Sequence, residues 1–398
     1  MDMDNGAIRL LADVLVWPEE KINEVYALRD SYKMMKKLKK DGSYRILHEP
    51  NPVLKEFQKR FLKYFLYKIP LDNFHIIKGC RPKSSHIDNA KWHSNKNTRF
   101  VLRLDLKDAF PSVKKENIRS ILQKFLFEEI ERYKAKEFPM RPLFSIKRAQ
   151  WFRKLFKDFP QLNLFYGDSK EILDDFIELV ISLVTYKESL PQGAPTSPYL
   201  LNIVLSHSSL IEKIYQFLWD NKIFVSKGSI SQILFSVYVD DFTISSSKPI
   251  PKSVIDAIIG IIEQESPFKV NKNKTLYFKR DRIAPMITGL RLVTIKKSRQ
   301  ELEIELKKEE TYYNSRELKN IRRKLLDEND KWHIETVRLP KKQIRKIRGL
   351  VNAAATNPQL RSKLASKVEG HITSLKAVYG NKLPRQISVP YEKYLKSL

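Results

Sequence analysis

The spacing of apolar side chains divides the chain into a mixed series of elements. Ile8, Leu11, Leu15, Ile22, Val25 and Leu28 recur at roughly helical intervals, and Pro18-Glu19-Glu20 reads as a helix start, so residues 5–40 are expected to be helical. Asp41-Gly42 signals a turn, 44–48 alternates like a strand, Pro50-Asn51-Pro52 breaks it, and 53–69 returns to helical spacing. Residues 79–96 are polar and irregular. Apolar residues at 100, 102 and 104 make 99–105 a strand. Helices are expected over 114–138, 145–157, 174–183 and about 199–219. Two short strands, 233–239 and 242–246, frame Asp240-Asp241. A helix over 254–265 precedes short strands to about Val293, and from about Lys307 the pattern is mostly helical. There is no internal repeat and no low-complexity tract. This order predicts an α+β sheet domain followed by a helical C-terminal unit.

A chain of 398 residues is long enough for two or three packed units. With 42% hydrophobic and 30% charged residues it is not disordered throughout. Its charge changes the picture: 74 Lys+Arg against 46 Asp+Glu leave +28. Such a surplus repels itself unless a polyanion neutralises it, with nucleic acid the first candidate and an anionic membrane the second. Residues 307–398 carry 22 Lys+Arg against 9 Asp+Glu, an excess of 13. The single cysteine, Cys80, excludes an intramolecular disulfide and a cysteine zinc cage. No apolar run approaches the ~20 residues that span a bilayer, and residues 1–5 do not read as a secretory signal. A soluble protein of a reducing compartment is expected.

Asp105 ends one strand and Asp240-Asp241 lie at a hairpin turn, where backbone can hold them side by side. One Asp after a strand is usually a turn or capping residue. Asp-Asp framed by two apolar strands in so basic a chain points instead to chemistry. Converging carboxylates repel and call for a cation. Oxygen ligands suit Mg²⁺, and two ions about 3.5–4 Å apart would serve an in-line displacement at phosphorus. Residues 190–198, Leu-Pro-Gln-Gly-Ala-Pro-Thr-Ser-Pro, form a loop stiffened by three prolines, with Gly193 allowing close backbone approach. It suits positioning a template strand or a nucleotide base. Taken alone it is equally the start of a helix, with Ser197 as cap and Pro198 in the first turn.

In order and spacing these motifs resemble those of reverse transcriptases. Leu104-Asp105-Leu-Lys-Asp-Ala-Phe110 resembles the first palm motif, 190–198 the template and nucleotide loop, Tyr238-Val-Asp-Asp241 the catalytic turn, and Asn271-Lys-Asn-Lys-Thr275 the palm motif that follows. The resemblance covers roughly residues 30–300. It implies a right-hand polymerase fold: N-terminal helices and fingers over 1–98, a palm with an antiparallel sheet over 99–300 (fingers insertions at about 114–180), and a basic helical thumb over 301–398. It further implies RNA-directed DNA synthesis by a nucleotidyltransferase, with two Mg²⁺ ions, for which Mn²⁺ substitutes. By position Asp105, Asp240 and Asp241 become the catalytic metal ligands, and Leu106 adds its backbone carbonyl. Phe110 matches the gate that rejects a ribose 2′-hydroxyl. Gln192, Gly193 and Lys274 fall to the nucleotide site, together with Arg45 and Lys40 on the fingers. Ser43 stands where a basic residue often precedes the arginine.

Asn89-Ala-Lys-Trp-His93 resembles the Asn-Ala-x-x-His motif of retron reverse transcriptases, and Ile287-Thr-Gly289 is similar to their Val-Thr-Gly, with Ile for Val. This implies a bacterial cytoplasmic enzyme that copies part of a cognate non-coding RNA (msr-msd) with dNTPs into single-stranded DNA (msDNA), primed from an RNA 2′-hydroxyl. The RNA–DNA product would act in antiviral defence with a separate effector protein. Asn89 and His93 are expected to touch RNA, as are Lys341, Lys342, Arg345, Lys346 and Arg348, the densest basic stripe of the tail. Tyr312, Tyr313 and Trp332 are expected to pack rather than stack on bases. The segment 128–170 is longer than such a polymerase needs and is expected to face a partner. Two alternatives stand: a non-retron defence-associated or group II intron-like reverse transcriptase, and a non-catalytic RNA-binding scaffold.

Overall fold

The computed structural model describes residues 5–38, 42, 44–73, 75–94, 98–134, 168–220, 233–280, 282–297, 332–380 and 383–398. The helix expected over 145–157, most of the segment 128–170, and Lys40, Ser43, Tyr312 and Tyr313 lie outside them.

Helices α1 (Asn5–Leu15) and α2 (Glu19–Ala27) follow the apolar spacing, with Pro18 capping the second. Beyond them the helical expectation fails. The basic run is β1 (Tyr32–Leu38), paired antiparallel with β2 (Tyr44–Pro50), Leu38 opposite Tyr44. A run so rich in lysine has no broad apolar face to bury as a helix, and the cross-strand ladder satisfies its backbone instead. Helix α3 (Pro52–Tyr64) begins at Asn51, whose Oδ1 accepts from the Val53 and Leu54 amides at 2.9 and 3.0 Å. Phe57, Phe61 and Phe65, four residues apart, stack at centroid distances of 5.7 and 4.8 Å and anchor it in the core. The polar stretch after Gly79 is not irregular throughout: a capping box between Ser85 and Asp88 starts α4 (His86–Trp92).

Strand β3 (Phe100–Lys107) leads through α5 (Ala109–Ser112) to the helices α6 (Lys115–Lys134) and α7 (Asp168–Val184). The one helix expected over 199–219 is two, α8 (Ser197–His207) and α9 (Leu210–Asp220). They part at Ser208, which is extended and whose hydroxyl donates to the Leu205 carbonyl at 2.9 Å. Helix α8 is buried on every side from Tyr199 to Ser206, as a helix with no solvent face must be. Then come β4 (Leu234–Tyr238), β5 (Asp241–Ser246), α10 (Lys252–Gln264), β6 (Lys269–Val270) and β7 (Leu276–Lys279). The sheet runs β4-β5-β3-β6, with β7 also on β3, all antiparallel. β3 is therefore paired along both edges.

A second sheet, β8 (Met286–Ile287), β9 (Leu290–Lys297) and β10 (Trp332–Arg338), opens the C-terminal unit. Trp332 thus starts a strand in a tail read as mostly helical. Helices α11 (Lys341–Thr356), α12 (Pro358–Tyr379) and α13 (Arg385–Ser397) follow. The apolar interior forms two clusters. The larger joins the N-terminal helices to the central sheet and α6 to α10. The smaller gathers Ile287, Leu292, Val337, Ile347, Val351, Leu375 and Tyr394 of the C-terminal unit, and takes in Ile87 and Ala90 of α4 and Val101 of β3. Among the described residues no helix is long and apolar enough to cross a membrane.

Candidate active site

The ladder between β3 and β5 sets Asp105 directly opposite Asp241, which puts their Cα atoms about 4.5–5.5 Å apart. The Leu106 amide donates to the Asp240 carbonyl at 3.0 Å, and the Asn271 amide to the Asp105 carbonyl at 2.7 Å. Backbone bonds on two sides thus fix the end of β3 against the turn. That turn, Val239-Asp240, joins β4 to β5 with Tyr238 opposite Asp241. Val239 has φ 61° and Asp240 does not share the positive sign, the pattern of a type II′ hairpin whose first central residue is ordinarily glycine. A β-branched side chain there is strained.

Gly79 holds the strained turn in place. The Val237 amide donates to the Ile76 carbonyl at 3.0 Å and the Lys78 amide to the Val237 carbonyl at 2.8 Å, so 76–78 flanks β4. Gly79 then passes under the turn, where an added Cβ would lie 2.5 Å from the Val239 nitrogen and 2.9 Å from its Cγ2. The Asn202 amide of α8 donates to the Gly79 carbonyl at 2.7 Å.

The carboxylates feel one another. Burial and then Asp241, with a smaller push from Asp105, raise Asp240 to about 6, against an opposing pull from Arg45. Burial also raises Asp241, opposed by Arg103 and reinforced by Asp105. Arg103, two residues before Asp105 and on the same face of β3, donates to both Asp241 oxygens at 3.0 and 3.1 Å and to the Met286 carbonyl at 3.2 Å. The Lys274 ammonium lies 3.2 Å from an Asp105 oxygen. Three repelling carboxylates offer the hard donors of a divalent cation. Yet among the described residues no group of three or more His, Cys, Asp or Glu side chains closes into a metal cage. The set fits an ion that takes few protein oxygens and completes its shell with water and phosphate.

Of the other expected nucleotide-site residues, Arg45 projects from β2 within electrostatic reach of Asp240. Phe110 is half-buried on α5 against the main core. The loop 190–198 is fastened at both ends: Ser197 Oγ donates to the Pro191 carbonyl at 2.7 Å, and the Gln192 carbonyl accepts from the His48 amide of β2 at 2.8 Å. Gly193, at φ 125°, lets it lie so close that an added Cβ would sit 3.1 Å from the His48 carbonyl oxygen. Thr196 caps α8, and Ser197 closes the loop instead of capping. Lys40 lies outside the described residues.

The expected RNA contacts divide. Lys341, Lys342, Arg345, Lys346 and Arg348 are exposed on α11, opposite buried Ile347 and Val351. Asn89 and His93 are corrected: both are 0% exposed and present nothing to a ligand in solution. A motif match carries no signal of burial, and these polar residues face inward because α4 is packed on both sides. Sequence reasoning missed Arg103 and Gly79. The period-two spacing of Arg103 and Asp105 was a signal for the first, and a glycine two residues after the apolar pair Ile76-Ile77 a weaker one for the second.

Residues 37–313 match the family model described as reverse transcriptase (RNA-dependent DNA polymerase). Among curated proteins, the Retron Mx65 reverse transcriptase of Myxococcus xanthus is 26% identical over 264 residues, covering 66% of this chain and 52% of that one. The Retron Ec73 reverse transcriptase of Escherichia coli is 23% identical over 265 residues, covering 64% and 66%. The chain therefore spans about half to two thirds of the length of these relatives. Among solved structures, telomerase from Candida albicans in complex with a fragment of telomeric RNA aligns at 15% identity over 65% of this chain and 45% of that one, with a TM-score of 0.38.

Proposed function

The chain belongs to the reverse transcriptase (RNA-dependent DNA polymerase) family, and on that premise we propose that it is a retron-type enzyme that copies part of a cognate structured RNA into single-stranded DNA. The observation that carries this reading is the placement of Asp105 opposite Asp241, with Asp240 in the adjoining turn. These three carboxylates would hold Mg²⁺, with Mn²⁺ as a substitute. A divalent ion held there would supply activation of the 3′-hydroxyl and stabilisation of the departing pyrophosphate. The chain's own residues orient the reactants. Arg45 and Lys274 bring positive charge to either side of the carboxylates, suited to a triphosphate. Phe110 closes the floor beneath the sugar and favours dNTPs. Gln192 and Gly193, tied to β2, support the templating base.

The names of the curated relatives favour a retron assignment over the intron-like alternative. Priming from an RNA 2′-hydroxyl, linkage of the DNA to that RNA, and a role in antiviral defence with a separate effector belong to this proposal. The test is to sequence the nucleic acid that co-purifies with the protein and probe it for DNA joined to RNA through a 2′–5′ branch. The expected product is such a branched molecule, absent from Asp240→Asn. Unbranched DNA would move the chain to the other reverse transcriptases. An Asp240→Asn variant that kept full cellular activity would make it a scaffold.

A further inference from the structure

His93 is the residue that the reading above leaves unused. It is wholly buried, and both of its ring nitrogens are engaged: Nδ1 lies 2.8 Å from Ser245 Oγ and Nε2 lies 2.7 Å from Ser236 Oγ. Ser236 is on β4 and Ser245 on β5, the two arms of the hairpin whose turn carries Asp240 and Asp241. In either tautomer of the neutral ring one nitrogen donates and the other accepts, so the imidazole can satisfy both hydroxyls at once. Burial, with Lys78 nearby, holds the ring neutral by lowering its pKa to about 3.

The other end of the same short helix belongs elsewhere. Ile87 and Ala90 pack into the C-terminal core, and Thr288 Oγ1 donates to the His86 carbonyl at 2.6 Å. Thr288 lies in the turn between β8 and β9. Helix α4 is thus bonded to the C-terminal unit at its start and to the catalytic hairpin at its end. Of the two motifs that set this chain apart in sequence, Asn-Ala-x-x-His forms the second half of this strut, and Thr288 of Ile-Thr-Gly bonds to its start.

We propose that His93 is a positioning residue for nucleotide addition, which pins the two strands of the catalytic hairpin to a helix shared with the C-terminal unit. It touches neither substrate nor nucleic acid. It acts through Ser236 and Ser245, fixing the height and tilt at which Asp240 and Asp241 meet Asp105. This rests on the polymerase reading for its consequence on rate, but not for its consequence on the hairpin. A buried anchor of this kind matters because a displacement of about 1 Å at a reacting centre can cost on the order of 100-fold in rate.

The experiment compares wild type, His93→Ala, His93→Gln and Ser245→Ala as full-length proteins on a poly(rA)–oligo(dT) template–primer. Three quantities are read: affinity for that duplex, kcat and KM for dTTP addition, and amide hydrogen exchange across residues 234–246. In His93→Ala, kcat is expected to fall on the order of 100-fold, with duplex affinity and KM changed by less than about threefold and exchange in the hairpin faster. His93→Gln, which keeps a donor and an acceptor, is expected to recover part of kcat. Ser245→Ala removes one hydroxyl and carries the same expectations at about tenfold, should His93→Ala fail to fold. A loss of duplex affinity with kcat at saturating duplex and hairpin exchange both unaltered would overturn the proposal and make His93 an RNA-binding residue. Unaltered kcat and exchange in every variant would overturn it too. If the wild type adds no nucleotide while hairpin exchange still accelerates in His93→Ala, the polymerase reading falls and the anchoring stands.

Discussion

Val239 and Gly79 are a matched pair. The first holds a conformation that costs a β-branched residue on the order of 1–3 kcal/mol, and the second leaves the space in which that conformation fits. Gly79→Ala puts a Cβ into the turn backbone. It is expected to cost about 1–3 kcal/mol of stability by overpacking and more than tenfold in nucleotide addition, measured by thermal melting and primer extension; an unchanged rate would separate the turn from catalysis. Asp240 makes a prediction about pH. Folded, it keeps its proton to about pH 6, whereas unfolded it releases it near 3.8. The native state therefore binds the extra proton between those values and loses stability as pH rises through them. Asp240→Asn removes that penalty, so in EDTA at pH 7.5 it should be more stable than wild type by about 3 kcal/mol, with the two melting together below about pH 4. It should make no DNA at any pH. The carboxylates were legible in the sequence because a strand end and a hairpin turn are local features. Gly79 and the inward face of His93 were not, since each depends on what folds over it from more than 140 residues away.

At the scale of elements, the loop 190–198 and β2 behave as one piece, joined where the His48 amide meets the Gln192 carbonyl. Gly193→Ala is expected to strain both its own backbone, at φ 125°, and the contact with His48. The expected outcome is a raised KM for dNTPs with duplex affinity retained, read by steady-state kinetics. An unchanged KM would mean that the loop adapts without β2. Arg103 links two other elements, Asp241 on β5 and Met286 on β8. Arg103→Lys keeps the charge but cannot span both partners, and should raise the divalent-ion concentration needed for half-maximal activity, measured by metal titration. Strands with alternating apolar residues, such as β3, were readable from spacing alone. β1 was not, because apolar Tyr32, Met35 and Leu38 recur every three residues rather than alternating, and only its partner strand specifies it. The split between α8 and α9 falls in the polar run Ser206-His207-Ser208-Ser209, where Ser208 turns extended and its hydroxyl bonds back to the Leu205 carbonyl.

For the whole molecule, the charge surplus has an address on the exposed side of α11. If those cations meet phosphates, replacing Lys342 or Lys346 by Ala should lower the slope of log affinity against log salt by about 0.7–0.9 for each residue, with little change in kcat. A slope unchanged by either would move the contact elsewhere on the surface. The sequence foretold a basic C-terminal unit, but not that its interior would reach back to α4 and Val101. That reach has a consequence during synthesis. Ile87 leaves the ribosome 250 residues before Val337, with which it shares a core. At about 5–20 residues per second, the greasy side of its helix waits on the order of 10–50 s for a lid. The nascent chain is in that interval a client for holding chaperones, and a severed C-terminal fragment supplied with no N-terminal half would have a hole where that helix belongs.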